Sequence, residues 1–355
     1  MASLSDSAVH SPRHTLERLL ERRDLSEVEA AALLTSLTTP ELAPAMAGAL
    51  LAALRAKGIT AVEVRGFAGA MRNLARKPAL PAELDAIDIV GTGGDSSGSL
   101  NLSTGAALLA AACGLPVVKH GNRSISSRSG SADLIEMLGL KLPLDETQAA
   151  RCFAATGFTF LFAPYFHPAM KALAPIRAAL GVRTVFNLLG PLTNPAAPPY
   201  RLIGAYDAAT AELMAGTLAG MPIKRAWVVH GAAGWDEATP VGPFLAFDVT
   251  PEQVRRLEID PREFGLTPCT LADLAGGDAA ANLAALCSVF EGRDRGAHLA
   301  ALALQCGLAL FISGRTDSIA AGIDLARATV HSGRAQAWLQ GLRQFAAQQL
   351  NQGVP

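Results

Sequence analysis

The stretch "AIDIVGTGGD", residues 86–95, decides the fold. A short apolar run ends in glycines, a polar loop follows, an Ala/Leu-rich segment with helical spacing comes next, and "GLPVVKHG" (114–121) is apolar again. Strand-like runs recur at "FTFLFAP" (158–164), "RLIGAY" (201–206) and "RAWVVHG" (225–231), separated by helix-patterned segments. Such alternation predicts an α/β domain, its mainly parallel central sheet covered on both faces. Upstream the pattern is wholly helical. Ser26 with Glu29, and Thr60 with Glu63, have capping-box spacing ahead of apolar runs. Thr39-Pro40 reads as an N-cap followed by proline at the first helical position. Four successive helices imply a small helical N-terminal domain. The expected division is a disordered tail at 1–14, a helical domain at 15–80 and an α/β domain at 81–350. The 164–199 segment is proline-rich, yet "PAMKALAPIRAALG" within it has helical spacing, so helices from about 165–195 are expected to rejoin the bundle. From about residue 279 the pattern returns to helix, with Thr316 a candidate N-cap.

Composition narrows the class. The 355 residues, 50% of them apolar, suffice for a large core, and a formal net charge of −1 offers no electrostatic reason to expect nucleic acid or an acidic membrane as partner. The five cysteines lack zinc-ligand spacing and read as reduced thiols of a cytoplasmic protein. The runs at 102–118 and 299–312 are too short to span a bilayer, which needs about 20 apolar residues, and they read as buried helices. The N-terminus lacks the apolar core of a secretory signal.

Four polar loops follow strand runs, where ligands bind in open parallel sheets. In "GTGGDSSGSLNLSTG" (91–105), Gly91, Gly93 and Gly94 allow backbone N–H groups close to an anion, and the helix opening near Ser103-Thr104 adds its dipole. The loop matches neither a Walker A nor a dinucleotide pattern, and a flexible turn before a capped helix is the plainer reading. In "KHGNRSISSRSGSAD" (119–133), Lys119 and Arg123 bring charge while Asn122, Ser124, Ser126, Ser127, Ser129 and Ser131 bring neutral donors. That composition suits an array of phosphate oxygens, against the alternative of a solvated basic loop. Asp236 and Glu237 are adjacent carboxylates in "VVHGAAGWDEATPVGP" (228–243). Beside phosphate they would need a cation, and magnesium suits them. Alone they are an ordinary acidic turn, and His230 an ordinary structural histidine. In the fourth loop Arg177 and Arg183, six residues apart, would point to different sides of a helical stretch. One of them could fork onto a carboxylate, with His167 lining the same cleft. Together the four suit a magnesium-bound polyphosphorylated substrate and a small organic acid.

"GTGGD", "NLSTG", "KHGNRSISSRSGSAD", "VRTVFNLLGPLTNP" and the "HG…WDE" loop occur in the order found in anthranilate phosphoribosyltransferases, which this chain resembles from about residue 15 to 345. The resemblance implies a fold of the nucleoside phosphorylase and class II phosphoribosyltransferase type, dimerising through its helical domain. It also implies phosphoribosyl transfer from 5-phosphoribosyl-1-pyrophosphate (PRPP) to anthranilate, with Mg2+ as cofactor, in tryptophan biosynthesis. By motif, Gly91, Gly93, Gly94, Asp95, Asn101, Ser103, Thr104, Lys119 and Ser131 would line the PRPP site. Asp236 and Glu237 would hold magnesium, with Ser103 at a second ion. Arg177 would read the anthranilate carboxylate, with Gly91, His120, Asn122, His167 and Gly190 nearby; Lys119, His120 and Arg177 are the expected catalytic groups, none of them an obligatory base. A pyrimidine nucleoside phosphorylase-like enzyme and a non-catalytic nucleic-acid-binding paralogue are the rival readings.

Overall fold

The computed structural model describes residues 11–94, 97–124 and 128–351. It opens with four helices, α1 (Pro12–Leu20), α2 (Glu27–Leu37), α3 (Pro44–Lys57) and α4 (Ala61–Leu74). Ser26 and Thr60 form complete capping boxes with Glu29 and Glu63. Ser11 caps α1, so the helix enters the stretch expected to be a tail, and residues 1–10 lie outside the described residues. Thr39-Pro40 does not start a helix. The Thr38 and Thr39 hydroxyls donate back to the carbonyls of Thr35 and Ser36, closing the end of α2, and α3 begins at Pro44 behind Ala43.

The rest is β1 (Ile87–Gly91), α5 (Leu102–Ala112), β2 (Val117–Gly121), α6 (Ser131–Met137), α7 (Glu146–Thr156), β3 (Phe158–Phe162), α8 (Ala163–Phe166), α9 (Met170–Leu180) and α10 (Phe186–Leu189). Then come β4 (Tyr200–Gly204), α11 (Ala208–Leu218), β5 (Arg225–His230), β6 (Phe244–Val249) and β7 (Val254–Ile259). Four helices close the described chain: α12 (Ala279–Phe290), α13 (Ala297–Ile312), α14 (Ile319–His331) and α15 (Arg334–Asn351). The 102–118 run is therefore a helix followed by the first residues of β2. Ser318, two residues beyond the expected Thr316, caps α14 by accepting from the Ala321 N–H.

The sheet order is β3-β2-β1-β4-β5-β6-β7. The five strands legible as apolar runs pair in parallel, whereas β6 and β7 add antiparallel to β5. The connection order reverses between β1 and β4, a topological switch point whose crevice lies beyond the strands' carboxyl ends. Alternate residues of β4 and β5 face different cores. Leu202, Trp227 and Val229 join the cluster under α5, α12 and α13. Ile203, Ala226 and Val228 join a second cluster with bundle residues Leu34, Leu54 and Phe67 and with Leu173 and Phe186 of the returning segment. The bundle and the helices around 165–195 thus share one core, and that core continues onto the sheet.

Candidate active site

A cavity of about 630 Å3 opens at the switch point. Its floor explains two glycines. Gly91 and Gly204 are register partners on β1 and β4, and a Cβ at Gly204 would lie 1.5 Å from the Asp236 carbonyl oxygen. One at Gly91 would lie 2.4 Å from Asp236 Oδ2. The acidic loop after β5 therefore lies directly over the strand ends, which side chains there would prevent. Asp236 Oδ2 accepts from the Gly93 N–H at 2.6 Å. Glu237 Oε1 accepts from the Ser103 N–H at 3.1 Å, in the first turn of α5, where the helix dipole favours a carboxylate. One of the helix N-terminal donors expected for phosphate is thus taken by Glu237. Both carboxylates are buried.

Lys119, on β2, is 1% exposed and donates to the Ile89 carbonyl and, at 3.4 Å, to Ser103 Oγ. Burial pushes its ammonium pKa down, opposed by the carboxylates of Asp88, Glu237 and Asp236. Arg123 is engaged differently from the sequence expectation. Its fork pairs with Asp133 at 2.9 Å and Glu136 at 2.6 Å on α6, so its charge is met within the protein although it stands at the cavity wall. Asn101 accepts from the Asn282 side chain at 2.8 Å and donates to the Ser129 carbonyl at 3.0 Å.

The other end of the cavity is aromatic and, among the described residues, lacks carboxylates. His120 and His167 meet edge to face with ring centroids 5.0 Å apart. Burial, with His167 next in size, pushes His120 down to about 3, and burial likewise pushes His167 down to about 4, so both are uncharged at neutral pH. His120 Nδ1 lies 3.0 Å from the Gly190 carbonyl, so this nitrogen carries the hydrogen and Nε2 remains an acceptor, with no protein partner. The Arg177 guanidinium stands over Phe186 at 5.5 Å. Beneath them, Asn194 of "LTNP" donates to Asp88 at 2.9 Å and to the Val118 carbonyl at 2.8 Å, tying this segment under β1 and β2.

Of the residues singled out from sequence, Gly91, Gly93, Gly94, Asn101, Ser103, Thr104, Lys119, His120, Asn122, Ser131, His167, Arg177, Gly190, Asp236 and Glu237 all line this cavity. Asp95, Ser126 and Ser127 lie outside the described residues. Arg183 departs from expectation. Gly181, at φ +61°, ends α9, so Arg183 leaves the helix and lines the same cavity as Arg177. Tyr206, Phe186 and the Asn282 support of Asn101 had no local signal in the sequence.

A helical bundle, an α/β domain and a phosphate-type crevice at the switch point define a glycosyl-transferring protein. The family models that match are "Glycosyl transferase family, helical bundle domain" over residues 13–75 and "Glycosyl transferase family, a/b domain" over residues 83–336. An anthranilate phosphoribosyltransferase from Bradyrhizobium sp. is 44% identical over 90% of this chain and 94% of its own. One from Prochlorococcus marinus is 42% identical over 98% of this chain and 99% of its own. Among solved structures, that from Thermus thermophilus superposes with a TM-score of 0.88 at 40% identity, covering 94% of this chain and 99% of that one. The Saccharomyces cerevisiae enzyme in complex with PRPP and Mg gives 0.84 at 27% identity, covering 98% and 99%. The chain belongs to the anthranilate phosphoribosyltransferase family.

Proposed function

We propose that this chain transfers the phosphoribosyl group of PRPP to the amine of anthranilate, releasing pyrophosphate, in tryptophan biosynthesis. One observation carries the reading: a single cavity joins an acidic pair, a glycine loop and a buried lysine to an aromatic end bearing two neutral histidines and Arg177. Its family relatives favour this over phosphorolysis of a nucleoside or nucleic-acid binding.

Breaking the C1–pyrophosphate bond builds positive charge on the sugar and negative charge on the leaving group, so preorganised charges and dipoles supply the catalysis. Lys119 holds its ammonium beneath the leaving-group end, fixed by Ile89 and Ser103. Gly91, Gly93, Gly94 and Asn101 form one wall of the donor site, with Ser103, Thr104 and Ser131 around it. Arg177 forks onto the anthranilate carboxylate, with Asn122, His167 and Gly190 around the ring. His120, its tautomer set by Gly190, presents Nε2 as an acceptor that can orient the amine. An aromatic amine held in line is already a nucleophile, so positioning replaces a strong base.

The donor set of Asp236, Glu237 and Ser103 consists of oxygens only, and these residues would hold Mg2+. Among the described residues no third carboxylate, histidine or cysteine joins the pair, so substrate oxygens and water would complete the shell, as magnesium commonly requires. When bound, the ion neutralises charge on the pyrophosphate oxygens.

The chain divides by this reading into a helical domain, 15–80 with the helices around 165–195, and an α/β domain, 81–350, supported by the shared core of Leu54, Phe67, Leu173 and Phe186. A homodimer through the helical domain is what the family resemblance implies, and light scattering tests it. A cytoplasmic location is supported by five cysteines outside any disulfide, and cell fractionation tests it. No described helix is long and apolar enough to cross a membrane.

The test of the reaction is anthranilate fluorescence in the presence of protein, PRPP and magnesium. Loss that requires all three establishes transfer. Persistent fluorescence with folded protein and magnesium present refutes it.

A further inference from the structure

Arg183 stands where three parts of the molecule meet. Its Nη2 donates to the Gly94 carbonyl at 2.6 Å, and its guanidinium lies 4.0 Å from the Tyr206 ring centroid. Its own carbonyl accepts from Arg55 Nη1 of α3 at 2.8 Å. Gly94, at φ +73°, lies so close that a Cβ would be 3.2 Å from Arg183 Nη2. The glycine loop is thereby pinned at successive residues: the Thr92 N–H to the Gly204 carbonyl at 2.9 Å, the Gly93 N–H to Asp236, and the Gly94 carbonyl to Arg183. The first two pins come from the α/β domain. The third alone comes from the returning segment, which the bundle in turn holds through Arg55.

We propose that Arg183 is a positioning residue for the phosphoribosyl donor, fixing the 92–94 backbone in its place at the cavity wall and linking that shape to the helical bundle. This deepens the proposed function and rests on it. The competing role, a second reader of the anthranilate carboxylate beside Arg177, leaves less for the guanidinium to do where it lies: one face is stacked on Tyr206 and one N–H is committed to Gly94. Tyr206 supplies the stacking surface and the Gly94 carbonyl the anchor, so both features fix the guanidinium rather than aim it at a ligand.

The experiment compares steady-state kinetics of wild type, Arg183→Ala, Arg183→Lys and Arg55→Ala, varying each substrate in turn with magnesium saturating. Losing a charge-assisted hydrogen bond commonly changes an affinity about tenfold. Arg183→Ala is expected to raise the PRPP KM by about that factor and leave the anthranilate KM within about twofold. Arg183→Lys keeps a donor but not the stacked fork and should fall between wild type and Arg183→Ala. Arg55→Ala, whose contact is with the Arg183 backbone, should raise the same KM by a smaller factor, and it keeps the question answerable if Arg183→Ala does not fold. A rise confined to anthranilate, an equal rise in both, or no change in either variant overturns the proposal. Absence of wild-type turnover would instead count against the transferase reading itself.

Discussion

Arg177 and Arg183 share a cavity wall, and their different surroundings predict different phenotypes. Arg177 stacks on Phe186, and burial pushes its guanidinium pKa down, so the loss of a carboxylate partner would be felt there directly. Arg177→Ala is expected to raise the anthranilate KM at least about tenfold with little change for PRPP, and equal changes in both would refute the assignment. Gly204 invites a steric test. Its Cβ would collide with the Asp236 backbone, so Gly204→Ala must displace the acidic loop and should lower kcat/KM by about tenfold or more. Gly69, in α4 with nothing within 4 Å of a built Cβ, is the control, and Gly69→Ala should instead add about 0.5–1 kcal/mol of stability. The two histidines set a pH dependence. The unfolded chain binds their protons below about pH 6.5 while the folded chain refuses them until about 4 and about 3. Stability therefore falls as pH drops from about 6.5 towards 4, with a slope of up to roughly 1.4 kcal/mol per pH unit for each imidazole. His120 faces His167, Arg201 and Lys119, none of which favours a second positive charge. Urea midpoints at pH 7 and pH 5 should differ less in the His120→Asn, His167→Asn double variant, and an unchanged difference would show that these rings are not the source.

The bundle owes part of its stability to one buried acid at the start of α4. Glu63 is fully buried and accepts from the Thr60 N–H at 2.8 Å, the Leu25 N–H at 2.9 Å and Lys57 Nζ at 2.9 Å. Burial alone would lower the Lys57 pKa, yet Asp24 and Glu63 carry it above the usual lysine value. Glu63→Ala leaves a buried ammonium with Asp24 as its one anionic partner beside the Gly58 carbonyl, and removes the cap, and should cost about 3 kcal/mol by urea denaturation. Glu63→Gln keeps one acceptor oxygen for the Thr60 N–H but sets its NH2 against the Leu25 N–H, and should still cost less than Glu63→Ala. The capping boxes were readable in the sequence because their chemistry is local, and the five parallel strands because each is an apolar run ending in a polar loop. The β6–β7 pair was not. "VRRLEI" is an edge strand with four of its six residues exposed, so it lacks an apolar signature. The partner given to Asn101 by Asn282 joins residues 181 positions apart, and no spacing rule reaches that far. Arg183 was misplaced for a subtler reason: helical spacing persists up to Gly181, and only the left-handed backbone there turns the chain away.

At the scale of the whole molecule, the site residues come from both ends of the fold. The acidic pair, the glycine loop and Lys119 stand at the carboxyl edge of the sheet, while Arg177, Arg183 and His167 come from the segment that returns to the bundle. The loops singled out from sequence meet in one cavity, but which loop lies over which was not legible, because that depends on the switch point between β1 and β4. The second core, which runs from Leu54 and Phe67 through Phe186 to Val228, Phe247 and Val249, has a practical consequence for dividing the gene. A break after residue 80 would produce two polypeptides, each presenting to water a face made to meet the other. Expressed singly, both should be recovered mainly as insoluble aggregate. Co-expressed, they should reassemble into a soluble heteromer, with turnover restored to the extent that the Arg55 contact with the returning segment forms again. Two soluble, independently folded fragments would mean that the joint core contributes far less than its continuity implies.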